Sequence, residues 1–221
     1  MRTAQTISVP SGAATSFLPQ ALTWAGASAL AVPAAVLLHE LGHFVAHLIF
    51  GFSGTTLHYS STTYELERAF WQQVYRGDFQ AAAGLLPLWK VAASTAAGLL
   101  LTYAVVVACC YVVSRHRPLP FVFALGLVSP LRFVSGVPSL VALISGRALR
   151  PGTDEANLAL LTGVPSTLLI VLGLAVLCGG WFWLIRGVPR ERRAAKLGGL
   201  FVGIALGMVV YFKFAGPWLL P

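Results

Sequence analysis

The most reactive side chains in this sequence lie together in one apolar segment. His39, Glu40 and His43 form the pattern His-Glu-x-x-His within the run Leu37-Leu38-His39-Glu40-Leu41-Gly42-His43-Phe44. Histidines four positions apart project from one face of a helix, where their imidazole nitrogens can bind a single metal ion. The glutamate between them is placed to act as a general base beside that ion. The pattern therefore predicts a metal-dependent hydrolytic site on a helix.

This motif has apolar surroundings, because it lies inside the long apolar run from residue 21 to residue 50. A carboxylate and three histidines in such a run, the third being His47, are costly unless they pair with one another or bind something. A bound metal ion would neutralise them. Two other interpretations stay open. The groups could satisfy one another between helices or line a polar cavity, or the histidines could be axial ligands of haem or a pigment.

The sequence His39-Glu40-Leu41-Gly42-His43-Phe44 within a predicted membrane helix resembles the site-2 protease family of intramembrane zinc metallopeptidases. The resemblance covers two short patches of the chain. It implies that Zn²⁺ is bound by His39, His43 and an aspartate at the start of a later membrane helix. In such a site Glu40 would be the general base that activates water for attack on a peptide bond.

The third metal ligand must come from the few acidic residues outside the motif. These acids are Glu65, Glu67, Asp78, Asp154, Glu155 and Glu191. Asp154 is favoured, because three spans return the chain to the membrane face at which the first span ends. Where the family has Leu-Asp-Gly, this chain has Thr153-Asp154-Glu155, which makes Glu155 a competing ligand. Glu65 is a second alternative, near the spacing used by soluble zinc proteases with a glutamate ligand.

Three further polar residues could support this chemistry. His47 lies too far along the helix to join both motif histidines on one zinc ion, so we expect it in an outer shell or facing a cavity. Arg132, inside a later apolar run, could stabilise an oxyanion, pair with an acid of the site or bind free backbone carbonyls. Asn157 would share a helix face with Asp154 and could bind substrate or a ligand carboxylate, or simply support the start of the helix.

The composition is that of a membrane protein, since 57% of the 221 residues are hydrophobic and only 10% are charged. We therefore predict an all-α fold, a polytopic helical membrane protein with about five transmembrane helices. The predicted spans are residues 21–50, 91–113, 121–144, 165–185 and 197–219. Residues 51–84, rich in aromatic and charged side chains, are predicted to form an interfacial hairpin or helix after the first span. Residues 1–20 would be a flexible tail, and residues 21–221 a single transmembrane helical domain.

The formal net charge is +8, from 15 Lys and Arg against 7 Asp and Glu. We expect no nucleic-acid partner, because basic residues of a helical membrane protein normally mark its cytoplasmic loops. Their distribution slightly favours a cytoplasmic amino terminus. That orientation would put the motif's end of the first span on the outer side, whereas the family resemblance implies a site nearer the cytosol.

Together these features predict a multi-pass integral protein of a bacterial plasma membrane that acts as a zinc-dependent metalloendopeptidase. Its partners would be the lipid bilayer and a membrane protein or peptide substrate, cleaved in or near a transmembrane segment. The alternative is a non-proteolytic membrane subunit or scaffold that keeps the metalloprotease fold. A haem- or pigment-binding membrane protein is the least favoured interpretation.

Overall fold

The computed structural model describes residues 17–116, 119–145 and 152–221. Residues 1–16 of the predicted tail lie outside these ranges. The rest of that segment, residues 17–20, is helical, so the first helix begins earlier than the sequence suggested. Pro19 does not prevent this, because the N–H groups in the first turn of a helix have no intrahelical partner to lose.

Within these described ranges, five helices are long and apolar enough to cross a membrane. They are Phe17–Phe50, Leu88–Arg115, Pro120–Ala142, Ser166–Arg186 and Arg193–Leu219. Within the described ranges the strands are limited to a pair of two residues each, so the chain is all-α and the predicted fold class is confirmed. In chain order the α-helices are α1 (Phe17–Phe50), α2 (Glu67–Tyr75), α3 (Phe79–Leu85), α4 (Leu88–Arg115), α5 (Pro120–Val128), α6 (Gly136–Ile144), α7 (Asp154–Thr162), α8 (Ser166–Arg186), α9 (Arg190–Val210) and α10 (Gly216–Leu219).

The third span is interrupted in the middle of its apolar run. Helix α5 passes into a 3-10 turn, Ser129–Ser135, and the chain then continues as α6. Pro130 lies in this turn and cannot donate a backbone hydrogen bond to the preceding helix. The turn carries Arg132, so the break places a guanidinium group inside the helical bundle.

Helix α1 is central and packs against α4, α5 and α9. Helix α9 approaches it through Gly199, Gly203 and Gly207, where an added Cβ would overlap the α1 backbone in each case. Small residues at a spacing of four allow close contact between helices in a membrane. This contact fixes the rotation of α1 and turns its motif face away from α9.

The motif face of α1 meets α4 at a second close approach. A Cβ added to Gly42 would lie 2.8 Å from the Cα of Gly98. A Cβ added to Gly98 would overlap the imidazole rings of both His39 and His43. The backbone of α4 therefore lies directly behind the two motif histidines.

The segment between α1 and α4 folds back over the end of α1. Gly51 ends the helix with a φ of 73°, a left-handed conformation that glycine adopts readily. Strands β1 (Thr56–Leu57) and β2 (Thr62–Thr63) then pair antiparallel, followed by α2 and α3. The sequence predicted a hairpin or a helix here, and the structure contains both. An apolar cluster holds this segment together and consists of Phe52, Tyr64, Phe70, Val74, Ala82 and Val91.

Candidate metal centre

Three ligand atoms from two helices converge on one point. His39 Nε2 and His43 Nε2 are 3.2 Å apart, and Asp154 Oδ2 lies 3.1 Å from the first and 3.4 Å from the second. A tetrahedral ion with bonds of about 2.0–2.1 Å would hold neighbouring ligand atoms about 3.3 Å apart. The group formed by His39, His43 and Asp154 could therefore hold a metal ion.

Helix α4 sets the orientation of both imidazole rings. His39 Nδ1 lies 2.9 Å from the carbonyl oxygen of Gly98 and 3.0 Å from the hydroxyl of Thr102, and His43 Nδ1 lies 2.8 Å from the carbonyl oxygen of Ser94. Since a carbonyl oxygen only accepts hydrogen bonds, each Nδ1 can donate a proton to α4, although His39 Nδ1 also lies 2.9 Å from the donor Arg132 Nη1. In a neutral ring with this Nδ1 proton, Nε2 can offer its lone pair to a metal ion at the shared point, which is the arrangement that metal-binding histidines require.

These partners on α4 were not singled out from the sequence. Ser94, Gly98 and Thr102 are spaced four residues apart, so they lie on one face of an otherwise apolar helix. That stripe of small and polar residues was a detectable signal. It could not, however, show which helix the stripe would face.

Asp154 is placed by the start of α7. Thr153 caps this helix, with its hydroxyl oxygen accepting a hydrogen bond from the backbone N–H of Ala156 at 3.3 Å. Threonine is a favoured N-cap, and an acidic residue in the first turn is stabilised by the helix dipole. Gly163 ends the helix in the left-handed conformation. Local sequence alone therefore explains why a helix begins at the candidate ligand.

The carboxylate of Asp154 is held in its ionised form. Burial alone would raise the pKa of Asp154, but hydrogen bonds to His39 and His43 and the charge of Arg132 hold that pKa well below its usual range. Arg132 Nη2 lies 2.8 Å from Asp154 Oδ2, and the same guanidinium group contacts His39 Nε2. Arg132 therefore pairs with an acid of the site, Asp154, which is one of the roles considered from the sequence.

The two alternative third ligands do not reach the histidines. Glu155 is buried, and its carboxylate points to Arg132, with Oε1 at 3.7 Å from Nη2. Glu65 is exposed on the segment between α1 and α4. Among the described residues, Asp154 supplies the carboxylate of the converging group, and neither Glu155 nor Glu65 belongs to it.

Glu40 lines the cavity beside the converging ligands and contacts the hairpin. The Thr62 hydroxyl lies 3.3 Å from Glu40 Oε2 and 3.0 Å from the Glu40 carbonyl oxygen, so it can donate to either. Thr62 was not predicted from the sequence, because only the fold of the hairpin brings it to α1. Its contact can orient the carboxylate toward the cavity.

His47 and Asn157 lie farther from the converging ligands. His47 is buried between Phe52, whose ring centre is 5.0 Å away, and Tyr64, at 4.8 Å. It lines the cavity, but it is not one of the converging ligands. The Asn157 side-chain oxygen accepts hydrogen bonds from the Tyr75 hydroxyl at 2.9 Å and from the Gly152 backbone N–H at 3.4 Å. The contact with Tyr75 joins α7 to α2.

The converging ligand residues, Glu40, His47 and Asn157 line one cavity of about 400 Å³. Its lining includes the three converging ligand residues and Glu40, together with polar side chains from the hairpin, α2 and α4. A smaller, mostly apolar cavity of about 250 Å³ shares His39, Glu40 and Arg132 with it.

Comparison of the chain with family models, curated proteins and solved structures gives no match.

Proposed function

We propose that this protein is an intramembrane zinc metalloprotease, similar to the site-2 protease family, that hydrolyses a peptide bond in or near a transmembrane segment of a membrane protein substrate. The observation that carries the proposal is the triangle of His39 Nε2, His43 Nε2 and Asp154 Oδ2, with edges of 3.1 to 3.4 Å. A glutamate adjacent to one of these histidines completes the set of groups that such hydrolysis needs.

Zinc is the metal that this donor set fits best. Two imidazole nitrogens and one carboxylate oxygen leave a fourth tetrahedral position open, which is typical of catalytic rather than structural zinc sites. The carbonyls behind each Nδ1 supply the outer contacts that metal-binding histidines usually make. Magnesium and calcium prefer sites made of oxygen ligands, so two histidines disfavour them.

Glu40 would move the proton in this reaction. When bound, zinc supplies a Lewis acid that polarises a carbonyl group and makes water more acidic. The Glu40 carboxylate takes a proton from the attacking water and later delivers it to the leaving amine. Thr62 holds this carboxylate at the cavity wall through its hydroxyl.

The cavity supports a substrate that is unwound over a short stretch. Peptide groups in a membrane helix are already hydrogen-bonded within the helix, so a helical substrate must open before its carbonyl can be attacked. Hydroxyl groups of Ser60, Ser61 and Thr95 line the cavity and can bind the freed backbone groups. Together with five apolar helices, this favours action on membrane proteins, and we place the protein in a bacterial plasma membrane.

The test combines metal analysis with proteolysis by purified protein. We expect close to one zinc per chain, cleavage of at least one single-span protein in a panel, and no cleavage by Glu40→Gln, which keeps its zinc. Glu65→Gln removes an exposed carboxylate outside the cavity and is the matched control. Protein without zinc after growth and purification in zinc-containing medium would contradict the proposal.

A non-proteolytic scaffold is the second candidate, and one observation favours it. The Arg132 guanidinium contacts both His39 and Asp154, so a polar cluster could be neutralised by this side chain alone. Zinc-loaded protein that leaves the whole substrate panel uncut would favour the scaffold.

A haem or pigment site suits the geometry less well. It would need an imidazole facing a flat open space, whereas His39 Nε2 and His43 Nε2 face each other at 3.2 Å. An absorption spectrum of the purified protein tests that interpretation.

A further inference from the structure

A second group of side chains lines the cavity away from the candidate metal centre. It consists of His47 near the end of α1, Tyr64 after β2, and Glu67 and Trp71 on the first turns of α2. The proposed hydrolysis uses none of them. We call this group the Glu67 subsite.

The Glu67 carboxylate is a negative charge without a counter-charge from the protein. It is half-buried in the cavity wall, and it forms no ion pair with a basic residue in the part of the chain that the structure describes. Burial raises the pKa of Glu67 although the backbone N–H of Tyr64 opposes the shift, so the ionised carboxylate lacks stabilisation that a neighbouring cation would supply. A cation entering this part of the cavity would therefore be attracted to Glu67.

Two polar atoms of the subsite also lack partners. The Tyr64 hydroxyl and His47 Nδ1 are shielded from solvent, and neither makes a hydrogen bond to another described residue. The Tyr64 hydroxyl meets the indole of Trp71, but without hydrogen-bond geometry. Buried polar atoms are nearly always paired, so a small shift of these two side chains toward the cavity would let a bound donor supply the missing contacts.

Aromatic rings complete the subsite. Trp71 lies one turn after Glu67 on the same face of α2, and its ring stacks on Tyr75 with ring centres 5.6 Å apart. Trp71 lines the cavity together with Glu67, and an acid and an indole in one cavity wall favour an ammonium or guanidinium group. Hydroxyl and imidazole acceptors can take further N–H donors from the same cation.

We infer that the Glu67 subsite binds a lysine or arginine side chain of the substrate segment. This inference rests on the proposed function, because the cavity that holds the subsite also holds Glu40 and the converging ligands. Basic residues are concentrated at the ends of transmembrane segments. A protease with this subsite would therefore select a peptide bond near a membrane boundary that has a basic residue close to it in sequence.

Peptide binding tests the subsite separately from proteolysis. The probes are fluorescent Gly/Ala/Ser host peptides with a single Lys at each position in turn, and matched peptides with Gln instead. Zinc-loaded Glu40→Gln protein prevents turnover and serves as the background. We expect at least one Lys peptide to bind about tenfold more tightly than its Gln partner, as an ion pair with an acid in a cavity would give.

Substitution at the subsite should remove this preference. In the same background, Glu67→Gln should weaken binding of the Lys peptide about tenfold and leave the Gln peptide unchanged, which a merely structural role would not do. Glu65→Gln makes the same charge change two positions away, outside the cavity, and should alter neither peptide. Glu67→Lys should bind a Glu peptide more tightly than the Lys peptide.

Two results would overturn the inference: equal binding of Lys and Gln peptides at every position, or an equal loss for both peptides in Glu67→Gln. Cleavage by the wild-type protein is measured separately on the single-span panel. A protein that cleaves the panel without any Lys preference would keep the proposed function and lose the subsite. A protein that binds Lys peptides through Glu67 and cleaves nothing would keep the subsite and lose the proteolysis.

Discussion

Arg132 and Asp154 are paired at the candidate metal centre, with Nη2 of the guanidinium 2.8 Å from Oδ2 of the carboxylate. That oxygen is also the one that faces both histidine Nε2 atoms. Arg132 contacts His39 Nε2 as well. The side chain therefore lies where a metal ion and its ligands would meet, and a metal must displace it from at least one of these contacts.

Removing this guanidinium should strengthen metal binding. For Arg132→Gln we expect zinc affinity to rise about tenfold, comparable to one charge-assisted hydrogen bond that no longer has to be broken. Competition with a zinc chelator measures the affinity. Arg115→Gln, at the exposed end of α4, is the control and should leave it unchanged. Weaker zinc binding by Arg132→Gln would show instead that the arginine supports the loaded site.

The adjacent acids Asp154 and Glu155 should behave differently when neutralised. Asp154→Asn should lower zinc affinity by more than about a hundredfold, because even outer partners of metal ligands typically contribute ten- to a hundredfold. Glu155→Gln should change it by no more than about fivefold, since its carboxylate contacts Arg132 at 3.7 Å and is not one of the converging ligands. Zinc content and chelator competition give both values. The reverse order of effects would make Glu155 the third ligand.

A methyl group at Gly98 should disturb both histidines together. In Gly98→Ala the new Cβ would overlap their rings, so we expect a loss of about 1–3 kcal/mol in stability and a large loss of bound zinc. Gly26→Ala on α1 has no atom within 4 Å of the added Cβ and should stay within about 0.5 kcal/mol of the wild type. Thermal unfolding in detergent and metal analysis measure the two effects. Full zinc content in Gly98→Ala would argue against this packing.

The contact between Thr62 and Glu40 should matter for turnover and not for metal binding. We expect Thr62→Val to lower kcat about tenfold, because the general base loses the hydroxyl that orients it, while zinc content stays the same. Thr63→Val, whose hydroxyl contacts Thr56 on the other strand, is the neighbouring control. Kinetics on a cleaved single-span protein provide the measurement. Unchanged kcat in Thr62→Val would mean that Glu40 is oriented by other groups.

Much of the helical framework could be predicted from local sequence. A spanning helix needs only a continuous apolar stretch of sufficient length, and all five such stretches form helices. The relation between His39 and His43 is also local, because residues four apart share a helix face whatever the rest of the chain does. Within the third span, the 3-10 turn Ser129–Ser135 contains Pro130, which lacks a backbone donor.

Only the tertiary structure shows which of Asp154, Glu155 and Glu65 lies beside the two histidines. Asp154 and Glu155 are neighbours on the first turn of α7, so the packing of that helix against α4 determines which carboxylate turns to the histidines. Thr62 and Glu67 reach the cavity because the chain folds back over α1. These contacts join residues far apart in sequence, and they depend on how closely whole helices approach, as at Gly42 and Gly98. The spacing of residues along one helix contains no information about that approach.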